Sequence, residues 1–376
     1  MYIKRRLQQT VIDHFFRKKA IIILGARQVG KSTLMEHVTA QTNLPVLDLN
    51  CDDPEVRGLL TDINSANLRL LIANYKIIAI DEAQRVENIG LTLKRIIDSY
   101  KDVQVLVSGS SSLRLRDSIN EPLTGRKYEY TMYPVSTDEL YETEGLLKTK
   151  QMLESRLIYG SYPDVITHPE EAKDLLLNLA DSYLYKDILE LNEIRKPTVL
   201  RKILVALALQ LGSEVAYNEV AKTVGTDPKT VERYIDLLEK CFVIYSLSGL
   251  SRNMRNELKK TRKIYFYDTG IRNAILQNYA PVSLRNDIGA LWENFFIMER
   301  MKYNSYHGRH VSYYFWRTTT QQEIDLIEEC DGQFTIFEMK WNEAKASTKF
   351  PQSFIDTYHP KECHVVTPAN YLEYLL

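Results

Sequence analysis

Residues 25–32 read Gly-Ala-Arg-Gln-Val-Gly-Lys-Ser, two glycines framing a loop that ends on an amine and a hydroxyl. A pocket for phosphate groups needs these residue types. Gly25 and Gly30 let backbone N–H groups close around an anion, and a helix starting just behind the loop adds partial positive charge. Lys31 is placed to reach the outer phosphates of a nucleotide, and the Ser32 hydroxyl suits Mg2+. The flanks agree. The apolar run Ala20 to Leu24 reads as a strand, and Thr33-Leu-Met-Glu-His-Val-Thr39 has helical spacing. Strand, glycine-rich loop and helix in this order make the stretch a Walker A loop. Gly25, Ala26, Arg27, Gln28, Val29, Gly30, Lys31, Ser32 and Thr33 are therefore the expected nucleotide-binding residues, with ATP and Mg2+ as the expected cofactors.

A phosphate loop needs a carboxylate on a neighbouring strand. Ile77-Ile-Ala-Ile-Asp81-Glu82 supplies one, four apolar residues ending in two acids. Asp81 is expected to hold the magnesium with Ser32, and Glu82 to polarise the attacking water, a role worth roughly 10²–10⁴-fold in rate. A third apolar strand ends in Ser108-Gly-Ser-Ser-Ser112, where Ser108 and Ser110 are candidates for contact with the γ-phosphate or the water. Arg126, at the turn before Tyr128-Glu-Tyr-Thr-Met132, is a candidate arginine finger, in cis or from a neighbouring subunit of a homo-oligomer.

A second constellation lies near the C-terminus. Asp325 falls in Gln322-Glu-Ile-Asp-Leu-Ile327, and after a turn at Asp331-Gly332 come Phe337-Glu-Met-Lys340. On a strand Glu338 and Lys340 share a face, and Asp325 is one hairpin strand away. Glu293, in a helical stretch upstream, completes the set. Converging carboxylates with a lysine suit a divalent cation that polarises a phosphodiester, so Glu293, Asp325 and Glu338 are expected metal ligands, with Lys340 orienting water. The competing reading is an amphipathic strand pair whose opposite charges stabilise by about 0.2–1 kcal/mol. Trp316, Arg317 and Trp341 lie nearby, to contact a substrate or to pack.

The order of Walker A, Asp-Glu-Ala-Gln from Asp81, Ser-Gly-Ser, Gly-Arg and Tyr133-Pro resembles an AAA-type ATPase. More closely it resembles bacterial and archaeal ATPases whose C-terminal half is a conserved domain of unassigned function, and the likeness extends to Gly160-Ser-Tyr-Pro-Asp164 and Ser182-Tyr-Leu-Tyr-Lys-Asp187. The C-terminal acids and Glu-x-Lys resemble the PD-(D/E)xK restriction-endonuclease-like family, without its proline ahead of Asp325. These resemblances imply an α/β protein in three parts. The expected parts are an AAA-type parallel sheet with a helical lid over 1–195, a winged helix over 196–275 and a smaller endonuclease-like α/β domain over 276–376. In the middle part, Lys229, Thr230 and Arg233 on the second helix are expected to face DNA, as is a wing holding Arg252, Arg255, Lys259, Lys260, Arg262 and Lys263.

What must position these residues is a chain of 376 residues, 44% hydrophobic and 26% charged, suited to several packed cores. Forty-eight basic and 49 acidic residues nearly cancel, so contact with nucleic acid must come from local patches. The four cysteines are widely spaced, which favours inert thiols in a reducing compartment over zinc or disulfides. The N-terminus lacks a signal-peptide apolar stretch and no segment reaches membrane-span length, so a cytoplasmic protein without membrane contact is expected. The function expected is a Mg-dependent ATPase with nucleotide-dependent DNA contact and nuclease activity. The alternative is a nucleotide-operated interaction protein with an inactive nuclease-like domain.

Overall fold

A computed structural model describes residues 2–110, 119–189, 196–250, 262–318, 320–345 and 349–376, with backbone only for 182–189. The chain forms two compact units, residues 1–134 with 240–242, and 135–239 with 243–376.

The first unit holds β1 (Ala20–Leu24), β2 (Val46–Asn50), β3 (Ile77–Asp81), β4 (Gln104–Gly109) and β5 (Lys127–Thr131), in the order β2-β3-β4-β1-β5. Every pairing is parallel. β1 and β4 are buried along their whole length, as expected of strands that read as unbroken apolar runs in a sheet covered on both faces. Among the described residues the unit's helices are α1 (Leu7–Asp13), α2 (Lys31–Ala40), α3 (Pro54–Leu60), α4 (Ser65–Ile72) and α5 (Ile89–Ser99). Because β1, β3 and β4 run the same way, their C-terminal ends bring residues 25–32, 81–84 and 108–110 to one edge of the sheet. The unit is an α/β fold with a parallel central sheet.

The second unit starts with helices α6 (Thr137–Gln151, kinked where Gly145 has φ 79°), α7 (Leu153–Tyr159), α8 (Pro163–Thr167), α9 (Ala172–Leu189) and α10 (Pro197–Leu209). There follow β6 (Glu214–Val215), α11 (Tyr217–Val224), α12 (Pro228–Lys240), β7 (Ile244–Gly249), β8 (Arg262–Phe266) and α13 (Thr269–Leu276). The C-terminal part adds α14 (Ile288–Tyr306), β9 (Ser312–Arg317), β10 (Glu323–Cys330), β11 (Gln333–Met339), α15 (Gln352–Tyr358) and β12 (Glu362–Val366). One mixed sheet collects all seven strands, in the order β12-β11-β10-β9-β7-β8-β6. Its middle seam is parallel pairing of β7 with β9, Ser248 opposite Tyr314 and Gly249 opposite Phe315.

Local chemistry explains the Gly160-Ser-Tyr-Pro stretch. Gly160 takes φ 73°, and a Cβ there would overlap the Asp268 carboxylate. That carboxylate is buried, accepts the Ser161 N–H at 2.7 Å and caps α13 by accepting the Ile271 N–H at 3.2 Å. Along α14, Arg300 donates to both oxygens of Glu328 at 2.9 and 2.6 Å, a buried fork that fixes the helix on β10. Among the described residues, no helix is long and apolar enough to cross a membrane.

Candidate nucleotide and acid–lysine sites

β1 hands the chain directly into the phosphate loop. Gly25 has no room for a side chain, since a Cβ would overlap the carbonyl oxygen of Met132, whose own N–H donates to Leu24 at 2.6 Å. Gln28 (φ 59°) and Gly30 (φ 94°) take left-handed conformations, the kind of turn that gathers backbone N–H groups into an anion-binding nest. No side chain caps α2 at Gly30, so the helix N-terminus is left to whatever the loop binds. Lys31 is buried, and its ammonium donates to the Gly25 and Ala26 carbonyls at 3.1 and 2.8 Å. Ala26 and Val29 are buried beneath the loop, while Ser32 and Thr33 are exposed at its exit. Arg27 is half-buried.

Two carboxylates face this loop from β3. Asp81 accepts the Ser32 hydroxyl at 2.6 Å, bringing together the two oxygens expected to share magnesium. On its other oxygen it accepts the Ser108 hydroxyl, and Ser108 in turn accepts the Glu82 N–H at 3.2 Å. Ser108 is fully buried and braces Asp81 and the Glu82 backbone. Glu82 sits in the left-handed region (φ 53°), and its Oε2 accepts from Gln84 and, at 3.0 Å, from Ser110. Gln84 also donates to Ser110 at 3.0 Å, closing a triangle. Gln84 has no role in the motif, and its spacing two residues after Glu82 is the signal the sequence offers for this contact. The field here is strongly negative. Burial and then Asp81 and Glu82 push the Cys51 thiol up to about 12, and burial and then Asp81 raise Asp48 above the usual carboxylate range. A hard cation held by Ser32 and Asp81 matches these all-oxygen donors and offsets that field.

A residue the sequence reading missed holds the loop from behind. Arg5, 4% exposed, donates to the Val29 carbonyl and to the Tyr133 carbonyl, each at 2.6 Å. Its distance of 24 residues from the loop hid it from any motif. Arg126, by contrast, lies at the opposite edge of the sheet. Its carbonyl accepts the Ala20 N–H at the start of β1, and its guanidinium pairs with Asp98 at 2.8 Å, both side chains about 40% exposed. Ser111 and Ser112 lie outside the described residues.

The C-terminal residues converge on β10 and β11. The register continues from Leu326 opposite Phe337, which sets Asp325 beside Glu338, and a bulge between Ile324 and Ile327 turns this stretch relative to β9. Asp325 accepts the Met339 N–H at 2.9 Å. Lys340 contacts Glu338 at 2.8 Å and Asp325 at 3.7 Å, bridging the pair. Glu293 joins through other partners, because its Oε1 accepts from Lys263 at 3.0 Å and from the Tyr265 hydroxyl. Lys263 also pairs with Glu323 at 2.6 Å. Burial and then Asp325 push Glu293 up to about 7, against the pull of Lys263 and Tyr265. Burial and then Asp325 do the same to Glu338, up to about 7, against Lys340. Burial opposes the charge on Lys263, but Glu293, Asp325 and Glu323 outweigh it and raise its pKa.

Among the described residues no group of three or more His, Cys, Asp or Glu side chains is placed to hold a metal, and Glu293 is engaged by Lys263 and Tyr265. The pair Asp325 and Glu338 still suits Mg2+, which keeps several waters and needs one or two carboxylates. An ammonium already lies between them, marking a place where positive charge is favoured. Lys263 corrects the wing expectation. It is 1% exposed inside this cluster and so is not available to a phosphate backbone. Arg262 is exposed beside it, whereas Arg252, Arg255, Lys259 and Lys260 lie outside the described residues. On α12, Lys229 and Arg233 are exposed, while Thr230 is engaged in capping through Asp227 at 2.9 and 2.7 Å. Trp316 and Trp341 pack edge-on against Phe354 and Trp292, and Arg317 faces Glu214 at 3.5 Å.

Comparison with known proteins matches three stretches of the chain. Residues 17–141 match a family described as AAA domain, residues 150–281 a Domain of unknown function (DUF8612), and residues 288–374 a Domain of unknown function (DUF4143). The chain is 25% identical over 363 residues to the uncharacterized protein Rv2008c of Mycobacterium tuberculosis, covering 94% of this chain and 78% of that one. It is 26% identical over 299 residues to the uncharacterized protein MJ1637 of Methanocaldococcus jannaschii, covering 69% and 63%. Among solved structures, the Walker-type ATPase paby2304 of Pyrococcus abyssi superposes with a TM-score of 0.50 at 16% identity, over 73% of this chain and 96% of that one, a likeness of fold alone. Residues 17–141 are thus similar to an AAA domain, and residues 288–374 to a Domain of unknown function (DUF4143).

Proposed function

We propose that this protein binds ATP with Mg2+ at residues 25–33, hydrolyses it, and uses the nucleotide state to control a nucleic-acid-directed C-terminal half. The observation that carries the ATPase reading is the contact of Ser32 with Asp81, beside Lys31 and in front of a Glu82 held by Gln84 and Ser110. Bound magnesium supplies charge neutralisation for the phosphates. Ser32 and Asp81 hold it, Lys31 leaves the Gly25 and Ala26 carbonyls for the outer phosphates, and Glu82 accepts a proton from the attacking water.

In the second unit, α11, α12 and the β7–β8 pair fit a winged helix, with Lys229, Arg233 and Arg262 offered to a phosphate backbone. The β10–β11 pair with Asp325, Glu338 and Lys340 fits a restriction-endonuclease-like active site, Asp325 and Glu338 holding a divalent cation that polarises a phosphodiester. A specific observation favours a second reading. Lys263 and Lys340 already neutralise part of the acid cluster, which suits a nuclease-like domain that binds without cutting. Arg126 keeps a role only toward a neighbouring copy in a homo-oligomer, and the setting proposed is the cytoplasm.

The test uses the purified full chain with linear, supercoiled and branched DNA and Mg2+ or Mn2+, with and without ATP. Loss of ATP hydrolysis in Lys31→Ala, and loss of DNA cleavage in Asp325→Ala with hydrolysis intact, support both halves. Hydrolysis without any cleavage moves the C-terminal half to the binding reading, and unchanged hydrolysis in Lys31→Ala sinks the first half.

A further inference from the structure

Beyond Asp81 the chain reverses in a small space. Glu82 takes φ 53°, a single 3-10 turn spans Ala83–Arg85, and Arg85 ties the far end of that turn to Asp52 at 2.6 Å. The reversal lays the Gln84 carboxamide against the carboxylate two residues before it. Three donor hydrogens lie in this corner, two on Gln84 Nε2 and one on the Ser110 hydroxyl. All three are spent. Nε2 donates to Glu82 Oε2 and, at 3.0 Å, to Ser110 Oγ, while Ser110, itself buried, donates to the same Glu82 Oε2 at 3.0 Å. The amide cannot sit the other way round, because its carbonyl oxygen would then meet an ionised carboxylate oxygen with no proton between them. What the triangle leaves over is acceptors. Gln84 Oε1 is buried and receives no hydrogen bond among the described residues, and no donor among them reaches Glu82 Oε1. A buried acceptor is rarely left without a donor. An anionic phosphate oxygen brings none, whereas a water brings two hydrogens.

We propose that Gln84 is a further catalytic residue of the ATPase, holding the attacking water by one hydrogen on its Oε1 while Glu82 Oε1 takes the other. The inference rests on the proposed ATPase reading and deepens it. With both hydrogens held, the water turns a lone pair toward the γ-phosphorus. Its oxygen bonds to that phosphorus, the bond to the β–γ bridging oxygen breaks with its electron pair leaving on ADP, and the proton facing Glu82 passes to the carboxylate. The second hydrogen stays with the released phosphate. Gln84 also aims the base, since Nε2 and Ser110 fix Glu82 through Oε2 and keep Oε1 for the proton. Ser110 acts through Glu82, its own proton being spent there.

Phosphate release by the full chain with ATP and Mg2+ gives kcat and KM, and titration with a fluorescent ATP analogue gives affinity. Gln84→Met keeps the length of the side chain and removes its hydrogen bonds, so kcat is expected to fall by about 10²-fold with affinity unchanged. Gln84→Glu keeps the shape and an acceptor but loses the donor to Glu82, and is expected to fall as far, whereas a packing role would tolerate it. Because Gln84 and Glu82 hold one water, adding Gln84→Met to Glu82→Gln should lower kcat no further than Glu82→Gln alone. If Gln84→Met fails to fold, Gln84→Asn, too short to keep its contacts, gives an independent reading in the same direction. A folded Gln84→Met with the wild-type kcat, a loss of affinity that accounts for the whole effect, or losses that multiply in the double variant overturn the inference while leaving the ATPase standing. A Glu82→Gln protein that turns over like the wild type overturns the reading of Glu82 as base, and the inference with it.

Discussion

Replacing Arg5 tests whether the phosphate loop is shaped from outside its own motif. Hydrogen bonds of the guanidinium reach Val29 inside the loop and Tyr133 after β5, each at 2.6 Å and largely shielded from water. Hydrogen bonds from a charged donor contribute about 1.5–3 kcal/mol each. Water entering the space left by truncation recovers part of this, so Arg5→Ala is expected to cost about 3 kcal/mol. In a unit the size of residues 1–134, that lowers the melting midpoint by about 10 °C. The functional effect is separate. With Val29 released, the peptide before Gly30 is free to rotate, the nest of N–H groups is populated for only part of the time, and ATP affinity falls by about tenfold, or 1.4 kcal/mol. Arg5→Lys keeps the charge but not the fork and is expected to recover about half of each loss. Differential scanning calorimetry and titration with a fluorescent ATP analogue, both well below the melting point of the variant, read the two effects. An Arg5→Ala protein that melts and binds like the wild type refutes the bracing role.

Further expectations concern the same two units. Glu82→Gln should keep ATP binding and lose turnover by roughly 10²–10⁴-fold in a phosphate-release assay, and equal loss of binding would contradict the assignment of Glu82 as base. Gly160→Ala should destabilise the second unit by about 3 kcal/mol in urea titration, because the added methyl overlaps the buried Asp268 carboxylate. Arg300→Met leaves Glu328 buried without its fork and should cost about 3–5 kcal/mol, part of which Arg300→Met with Glu328→Gln recovers. Arg126→Ala should leave ATP affinity unchanged, since the side chain pairs with Asp98 at the far edge of the sheet.

The nucleotide loop was legible because its chemistry is local. Spacing alone placed Gly25, Lys31 and Ser32 between a strand and a helix, and the apolar run before Asp81 marked β3. The parallel sheet puts the loop after β1 and the end of β3 at one edge, with β4 between the two strands, and there Ser32 at the start of α2 meets Asp81. Ser108 is expected at the nucleotide, and its hydroxyl is engaged with Asp81 on the neighbouring strand, a contact that no local motif names. Lys263 was harder. In sequence it ends a basic run and looks solvated, whereas strand alternation from Arg262 turns it inward to carboxylates 30 and 60 residues away. Glu293 was found as a member of the cluster, but its partners on β8 belong to a segment that carries no motif. The parallel seam of β7 with β9 is invisible for a similar reason, since neither strand's pattern names its neighbour.

That seam bears on whether the C-terminal segment is portable. Cut before residue 276 and grafted elsewhere, it would lose β7 and expose the side of β9 that now bonds to Ser248 and Gly249, an open edge of the kind that recruits other chains. The transplant would also arrive without Lys263 and Tyr265, stripping Glu293 of both donors to its Oε1. A recombination event that shuffles this segment must therefore carry β7 and β8 along, and a cut before residue 276 falls inside the unit that the seam closes.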